Sequence, residues 1–345
     1  MSRTIPRARA DDVVRVVAAA LLGVMRSAGR RLAGKSRRRA WGFGLEVMIG
    51  ATRGAWSVMP RIGMVRWRNV GEAMSPLRTD GLPHRQIELG TGADRINAMW
   101  LEPPNASGAV LLYFHGGGFV FGSVRTHGPL IGALARASRA RTLAIEYCLA
   151  PEHPAPAAVK DAVGAYRHLL AQGITPDRIV LAGDSAGGNL VLSTLLALRD
   201  AGDPTPAAAV AISPWVDLGG SGASFETNDR FDFVGAKYCR LAATEYLAGA
   251  NPRSAAISPL FADLAELPPL LIHAGQAEVL VDQIGDFAAR AKTAGVDVTF
   301  SVYEDMVHVW HLHRDVTPQA QAAIDEIGLF VQQQTASLIA VQPGG

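Results

Sequence analysis

Cysteine is scarce in this sequence, and its scarcity limits the kinds of site that the chain can build. Only Cys148 and Cys239 occur among the 345 residues. Two cysteines are too few for a disulfide framework or for a zinc site made of cysteines. A chain without disulfides suits a reducing compartment, so we expect a cytoplasmic location.

Long apolar runs are missing as well. The apolar stretch near the N-terminus extends only from Val13 to Met25 and is interrupted by Arg15. It is shorter than the roughly 20 residues that cross a bilayer. Asp11 and Asp12 precede it, which does not fit the cationic start of a signal peptide. We therefore expect neither a membrane span nor a signal peptide in this segment.

A large excess of charge is absent from the chain as a whole, whose formal net charge is +2. Binding to a phosphate backbone demands many more basic residues, so we expect no nucleic-acid partner. The charge is uneven, however. Residues 1–40 contain eleven Lys or Arg and two Asp, a net charge of +9, which leaves −7 for the rest. This segment is either a basic amphipathic helix that makes weak contact with an anionic membrane surface, or a cap helix followed by a solvated basic run at 35–39.

From about residue 86 the chain alternates β-forming runs with helix-forming stretches, which predicts a mostly parallel sheet covered on both faces. The eight predicted strands are 86–90, 97–101, 109–115, 141–147, 178–183, 207–212, 269–274 and 297–303, and the predicted helices are 126–138, 155–171, 186–201, 279–294 and 317–335. Two regions break the alternation, and we expect both to form a helical cap. The predicted organisation is an N-terminal cap segment at 1–78, a core at 79–218 and 257–345, and a cap insertion at 219–256.

The stretch GDSAG places Ser185 between a predicted strand and a predicted helix. β-Forming residues run from Ile179 to Leu181 before it, and the helix-forming stretch AGGNLVLSTLLALRD follows it. Gly183 and Gly187 have no side chains, so the strand and the helix can approach closely around a strained central residue. This context predicts a nucleophile at the carboxyl edge of the sheet. The alternative is an ordinary serine at a helix N-cap.

A glycine-rich loop, His115-Gly116-Gly117-Gly118, directly follows the apolar strand AVLLYF. Ester hydrolysis passes through a tetrahedral oxyanion, which backbone N–H groups can stabilise. We predict that Gly116, Gly117 and Ala186 donate these bonds and that His115 braces the loop. The alternative is a phosphate-binding loop, but the loop has neither a following Lys-Ser/Thr pair nor a G-x-G-x-x-G pattern.

A serine nucleophile needs a histidine base. In mostly parallel α/β sheets whose nucleophile lies between a strand and a helix, this base comes from the end of the chain. The last strand is followed by EDMVHVWHLH, which contains His308, His311 and His313. His308 lies nearest the strand, so we predict it as the base and expect the other two on a helix or at the surface. A zinc site of the three histidines lacks a nearby carboxylate or cysteine partner. We predict no metal and no cofactor.

The base needs a carboxylate that fixes its tautomer, and this acid should come before the histidine in the chain. The strand PPLLIHAG is followed by Glu278 and, one turn later, by Asp282. We predict Glu278 as the acid, because it lies immediately after the strand, and keep Asp282 as the alternative.

Four stretches, HGGGFVFGS, EYCLAPEHPAPAAVKD, GDSAGGN and ISPWVDL, together resemble the hormone-sensitive-lipase-like group of α/β-hydrolase carboxylesterases. The resemblance implies the α/β-hydrolase fold with a helical cap, Ser185 as nucleophile, His308 as base, no cofactor, and often a homodimer formed through the last strand. Cys148 stands where the group usually has arginine. Glu278 begins a turn where many members have aspartate, so the acid resembles that of a minority of the group.

The expected function is therefore a serine carboxylesterase that hydrolyses small uncharged esters with short to medium acyl chains. Phe119, Phe121 and Trp215 are candidates to line an apolar pocket near the reacting carbonyl, and the alternative is that they pack in the core, as aromatic residues beside a sheet edge do at least as often. An amidase or arylformamidase with the same triad, or a non-catalytic receptor for a small ligand on the same fold, are the alternatives.

Overall fold

The computed structural model describes residues 7–90, 92 and 95–336. The strands are β1 (His84–Leu89), β2 (Ile96–Leu101), β3 (Val110–Phe114), β4 (Arg141–Glu146), β5 (Ile179–Asp184), β6 (Ala208–Ile212), β7 (Leu270–Gly275) and β8 (Val298–Tyr303). The helices are α1 (Ala10–Leu32), α2 (Phe43–Trp56), α3 (Met59–Ile62), α4 (Met64–Met74), α5 (Val124–Ser138), α6 (Ala157–Ala171), α7 (Ala186–Ala201), α8 (Ser224–Thr227), α9 (Ala236–Leu247), α10 (Val281–Thr293) and α11 (Pro318–Thr335).

The strands form one eight-stranded sheet in the order β1-β2-β4-β3-β5-β6-β7-β8. β2 is antiparallel to both of its neighbours, and β3 to β8 pair in parallel. Every residue of β3, β5, β6 and β7 is buried, as expected when helices cover both faces of a parallel sheet. The predicted mostly parallel sheet is confirmed, and each predicted strand and helix lies within two residues of its observed bounds.

The parallel strands bring three sequence-distant loops to one edge of the sheet. β3, β5 and β7 run in the same direction, and Phe114 at the end of β3 lies beside Gly183 near the end of β5. The glycine-rich loop follows β3, the GDSAG turn follows β5, and Glu278 follows β7. The carboxyl edge of the sheet is therefore the candidate site.

Helices α1 and α2 pack against each other with almost no space between their backbones. A Cβ on Gly23 of α1 would lie 1.9 Å from the carbonyl oxygen of Gly50 on α2. A Cβ on Gly54 would lie 2.2 Å from the carbonyl oxygen of Ala19. Glycine at these positions is required by the close approach of the two helices. Within the described residues, no helix is both long enough and apolar enough to cross a bilayer.

Substitution of the contact glycine gives a direct test of this packing. We expect Gly23→Ala to lower the free energy of unfolding by about 2 kcal/mol, because the new methyl group meets backbone that cannot rotate away. Gly29 lies on the same helix, and a Cβ on it would have no atom within 4 Å. Gly29→Ala should instead raise the stability by about 0.5–1 kcal/mol, because alanine favours a helix. Urea unfolding monitored by circular dichroism measures both effects. Equal stability of the two variants would contradict the close packing of α1 and α2.

The basic run at 35–39 is not simply solvated, which corrects one of the two expectations for this segment. The Arg37 backbone N–H donates to Glu46 Oε1 at 2.9 Å, and its guanidinium donates to Ser27 Oγ at 2.8 Å. Arg38 forms an ion pair with Asp305 in the loop after β8 and lies over the ring of Phe231. These contacts fasten the chain between α1 and α2 to both the core and the 219–256 region.

Candidate active site

Ser185 occupies a strained turn between β5 and α7. Its backbone has φ of 56° and ψ of −116°, a conformation that non-glycine residues rarely adopt. A Cβ on Gly183 would lie 2.4 Å from the carbonyl oxygen of Gly187, and one on Gly187 would lie 2.0 Å from that of Phe114. The two flanking glycines therefore allow the strand and the helix to meet. The Ser185 side chain makes no N-cap hydrogen bond to α7, so the N-cap alternative fails.

The structure brings together the three residues that the sequence predicts as the triad. Ser185 Oγ lies 2.8 Å from His308 Nε2. On the other side of the ring, His308 Nδ1 lies 3.4 Å from Glu278 Oε2. The second distance is long for a hydrogen bond, and such contacts tighten when substrate binds. The arrangement can pass the serine proton to the imidazole while the carboxylate stabilises the imidazolium that forms.

The two candidate acids lie in different environments. The Glu278 side chain is fully buried beside the His308 ring. Asp282 is exposed in the first turn of α10, where its Oδ2 accepts a hydrogen bond of 2.8 Å from the backbone N–H of Ser224. Asp282 therefore holds α8 against α10, and Glu278 is the carboxylate that faces the base.

A second buried carboxylate, Asp232, lies against both the loop after β7 that contains Glu278 and the loop after β8 that contains His308. Its Oδ2 accepts from the N–H of Val279 at 3.0 Å, and its Oδ1 accepts from the N–H of His308 at 3.2 Å. Burial raises the pKa of Asp232 to about 6, and the nearby Glu278 adds to that rise. Asp232 belongs to the 219–256 insertion and to no recognisable motif, so nothing in the sequence indicates its place beside His308.

The carboxylates around His308 determine its basicity. Burial alone lowers the pKa of His308, but Glu278 and Asp232 raise it by a larger amount. The net result is a pKa above the ordinary value for histidine. The imidazole is consequently a stronger proton acceptor than a free one, which suits a general base.

The glycine-rich loop requires one correction. The N–H of Gly116 donates to Asp184 Oδ1 at 3.0 Å, so it is not available to an oxyanion as predicted. For Gly117, Gly118 and Ala186 we find no N–H acceptor among the residues that the structure describes. Gly117 and Gly118 have φ of 121° and 60°, conformations that favour glycine. Gly118 thus replaces Gly116 as a candidate donor beside Gly117 and Ala186.

Asp184, the residue before the serine, fixes this loop from the neighbouring strand. Its buried carboxylate also accepts from the hydroxyl of Tyr113 at 2.5 Å and lies 3.3 Å from His127 Nε2. A Cβ on Gly116 would lie 2.2 Å from Asp184 Oδ2, so only glycine fits there. His115 stacks on Tyr147 with 4.3 Å between ring centroids, which agrees with the bracing role predicted for it.

Two of the three predicted pocket residues lie in the protein interior instead. Phe119 is fully buried and stacks on Tyr246 at 3.9 Å between centroids. Trp215 is 2% exposed, and its backbone N–H donates to the carbonyl of Ser185. Phe119 therefore belongs to the core, and Trp215 holds the turn of Ser185 through its backbone.

Only Phe121 of the predicted trio is partly exposed. Its ring makes edge contacts with Trp56 at 5.1 Å and with Tyr238 at 6.3 Å. Trp56 ends α2 and Tyr238 lies in α9, so helices from the N-terminal segment and from the 219–256 region meet at this aromatic cluster.

The remaining histidines after β8 do not face the serine. His311 and His313 lie on a short 3-10 helix (Trp310–His313), as expected, and the buried His311 has its Nε2 3.1 Å from His273 Nδ1. Burial lowers the pKa of His313 to about 4, so this residue is neutral near pH 7. Among the described residues there is no group of three or more His, Cys, Asp or Glu side chains placed to hold a metal ion. Cys148 stands where the resembled group usually has arginine, and its backbone N–H donates to Asp161 Oδ2 at 2.7 Å.

The chain is similar to known hydrolases of the same fold. A family profile of the α/β-hydrolase fold matches residues 111–312. An acetyl-hydrolase of Streptomyces hygroscopicus is 47% identical over 239 residues, which cover 69% of this chain and 80% of the relative. The carboxylesterase/phospholipase LipF of Mycobacterium tuberculosis is 34% identical over 268 residues, which cover 75% and 69%. The crystal structure of an esterase from the bacterial hormone-sensitive lipase family superimposes with a TM-score of 0.79 at 42% identity, over 86% of this chain and 99% of that one. This chain therefore belongs to the hormone-sensitive-lipase-like carboxylesterases of the α/β-hydrolase family.

Proposed function

We propose that the protein is a serine carboxylesterase that cleaves esters of short- to medium-chain acids through an acyl-enzyme on Ser185. The observation that carries this proposal is the 2.8 Å separation of Ser185 Oγ and His308 Nε2 at a strained strand-to-helix turn. Esterase chemistry is common to the family, whereas the triad and the acyl range are specific to this proposal.

The reaction proceeds in two balanced halves. Ser185 Oγ attacks the ester carbonyl while His308 Nε2 accepts its proton, and the resulting oxyanion receives hydrogen bonds from the N–H groups of Gly117, Gly118 and Ala186. His308 then returns the proton to the departing alcohol. A water molecule then attacks the carbonyl of the acyl-serine while His308 Nε2 accepts its proton. The second oxyanion collapses, His308 returns the proton to Ser185 Oγ, and the acid leaves. Protons pass only between side chains, substrate and water, so these steps require no cofactor.

The proposed acyl range rests on the aromatic cluster of Phe121, Trp56 and Tyr238. Their rings lie within 4.2 to 6.3 Å of one another, so they form a rigid apolar wall against which an acyl chain can pack. The two regions that supply Trp56 and Tyr238 correspond to the N-terminal segment and the 219–256 insertion, which we propose to act together as the cap. With both cysteines free, we further propose that the reaction takes place in the reducing cytoplasm.

An acyl-chain series of p-nitrophenyl esters, from acetate to palmitate, tests the proposed specificity. We expect kcat/KM to peak among the short and medium chains and to fall at least about tenfold for the longest. Phe121→Ala should move the peak toward longer chains, because it removes one side of the aromatic wall. Rates that rise steadily up to palmitate would contradict the proposed acyl range.

The same assay separates the alternative functions. An amidase or arylformamidase would hydrolyse matched p-nitroanilides or N-formylarylamines at least as fast as the esters. A non-catalytic receptor would turn over neither kind of substrate, and a serine-directed phosphonate would fail to label Ser185. Either result would overturn the esterase proposal.

A further inference from the structure

Helix α1 has a second apolar face that no described part of the chain covers. One face packs on α2 through residues such as Val16, which is 6% exposed. The opposite face, which we call the outer face, consists of Val14, Val17, Leu21, Leu22, Met25 and Leu32. Leu21, Met25 and Leu32 are 57%, 60% and 86% exposed. From Val14 to Met25 these residues recur every three to four positions, apart from Leu22, which flanks the row, and Leu32 lies two turns further on. They therefore form a stripe along the helix, and a stripe of this kind marks an interaction surface.

A basic groove runs beside the outer face, between α1 and α2. The groove has a volume of about 610 Å³ and contains five arginines: Arg15, Arg26, Arg37, Arg53 and Arg61. No carboxylate in the described part of the chain pairs with Arg26 or Arg61. Burial lowers the pKa of the partly buried Arg37, and the neighbouring Arg53 and Arg30 lower it further, while Glu46 opposes the shift. Arg15 pairs with Asp11 and Asp12, so the uncompensated positive charge of the groove lies at Arg26 and Arg61.

The two features are continuous. Leu22 belongs to the outer face and also lines the groove. Ala18, one helical turn before Leu22, lines the groove as well. A ligand that reaches both must be apolar in one part and anionic in the next. The outer surface of an anionic bilayer has this layout, since phosphates lie directly above acyl chains.

We propose that α1 docks the protein onto membranes that contain anionic phospholipids. The outer face enters the boundary between headgroups and acyl chains, and the arginine groove holds the lipid phosphates. A free phosphate would leave the outer face in water. A second copy of the chain would oppose two N-terminal segments of net charge +9 each, which repel one another. An anionic lipid surface satisfies both the apolar and the basic part.

The docking surface and the candidate active site share helix α2. Arg53 and Gly54 line the groove, and Trp56, two residues further on, contacts Phe121 in the aromatic cluster. Docking would thus place the cap against the membrane from which apolar esters partition. The docking proposal stands apart from the proposed catalysis, because vesicle binding and not turnover measures it.

Flotation of the full chain with lipid vesicles tests the outer face. We expect binding to vesicles of phosphatidylcholine and phosphatidylglycerol in equal parts, and little binding to phosphatidylcholine alone. Leu21→Gln should lower the partition coefficient about tenfold, because it removes an inserted apolar side chain. Leu329 on α11 is a matched control, since it is 59% exposed, close to the value for Leu21. Leu329→Gln should leave the partition coefficient unchanged.

A second pair of variants tests the groove. The double variant Arg26→Glu with Arg61→Glu should weaken binding to the anionic vesicles roughly 30-fold or more. The double variant Arg178→Glu with Lys292→Glu changes the net charge by the same amount at exposed positions outside the groove. It should weaken binding less than about threefold. Thermal unfolding and hydrolysis of a water-soluble ester verify that every variant is folded.

Three outcomes would overturn the docking proposal. Equal losses in the two double variants would mean general charge attraction and no groove site. Equal binding of Leu21→Gln and wild type would remove the outer face from the interaction. A wild-type chain that ignores vesicles but forms a dimer, which Leu21→Gln dissociates in light scattering, would identify a second copy as the occupant.

Discussion

Ser185→Ala should lower kcat for p-nitrophenyl butyrate by about 10⁴- to 10⁶-fold and leave KM within a few fold of wild type. The substitution removes the atom that we propose to form the acyl-enzyme, while the proposed oxyanion donors, the N–H groups of Gly117, Gly118 and Ala186, remain. Some rate above that of water should therefore remain. The variant should also lose all labelling by a serine-directed phosphonate, measured as the mass of the intact protein.

Ser193 provides the matched control for this experiment. It lies about two turns along α7 from Ser185, is buried, and donates to Asn189 Oδ1 at 3.0 Å. Ser193→Ala should cost about 1 kcal/mol of stability and keep kcat near wild type, because its hydroxyl serves only the helix. If Ser185→Ala retained more than a tenth of the wild-type kcat, the nucleophile would have to be sought elsewhere.

The fold and the position of Ser185 in a strained strand-to-helix turn are predictable from the sequence because their determinants are local. β5 is a buried run of β-forming residues, and the glycines around Ser185 are needed by the turn in which they lie. His308 and Glu278 follow from chain order, since each directly follows a strand that ends at the same edge of the sheet.

The predictions that fail are those in which the environment of a residue depends on residues far away in the chain. The three consecutive glycines cannot be told apart in the sequence. In the structure the N–H of Gly116 is occupied, because it donates to the carboxylate of Asp184 on another strand. The sequence leaves Phe119 either beside the substrate or in the core, and it is Tyr246 of the 219–256 insertion that buries it. Asp232 belongs to the same insertion. It reaches the loop after β7 and His308 only through the tertiary fold, so neither periodicity nor spacing indicates that Asp232 lies at the site.

Substitution of the two candidate acids should have sharply different effects. Glu278→Gln should lower kcat about 10⁴-fold, because the neutral amide no longer stabilises the His308 imidazolium and can hold the ring in the wrong tautomer. Asp282→Asn is the matched control, since it makes the same change of group on the adjacent turn. It should keep kcat within a few fold of wild type, because Asp282 binds the backbone of Ser224 and not the base.

The pH dependence distinguishes an acid that acts on the base from one that merely supports the fold. His308 must be neutral to accept a proton, so kcat/KM falls as the pH drops through the His308 pKa, which the carboxylates hold above the ordinary value. Glu278→Gln removes the main cause of that rise and should move the acidic limb of the profile to lower pH. Asp282→Asn should leave the limb in place. An unchanged limb in Glu278→Gln, together with a shifted limb and a large loss of kcat in Asp232→Asn, would assign the acid to Asp232. The geometry argues against that assignment, because Asp232 Oδ1 accepts from the backbone N–H of His308, whereas Glu278 Oε2 faces ring atom Nδ1.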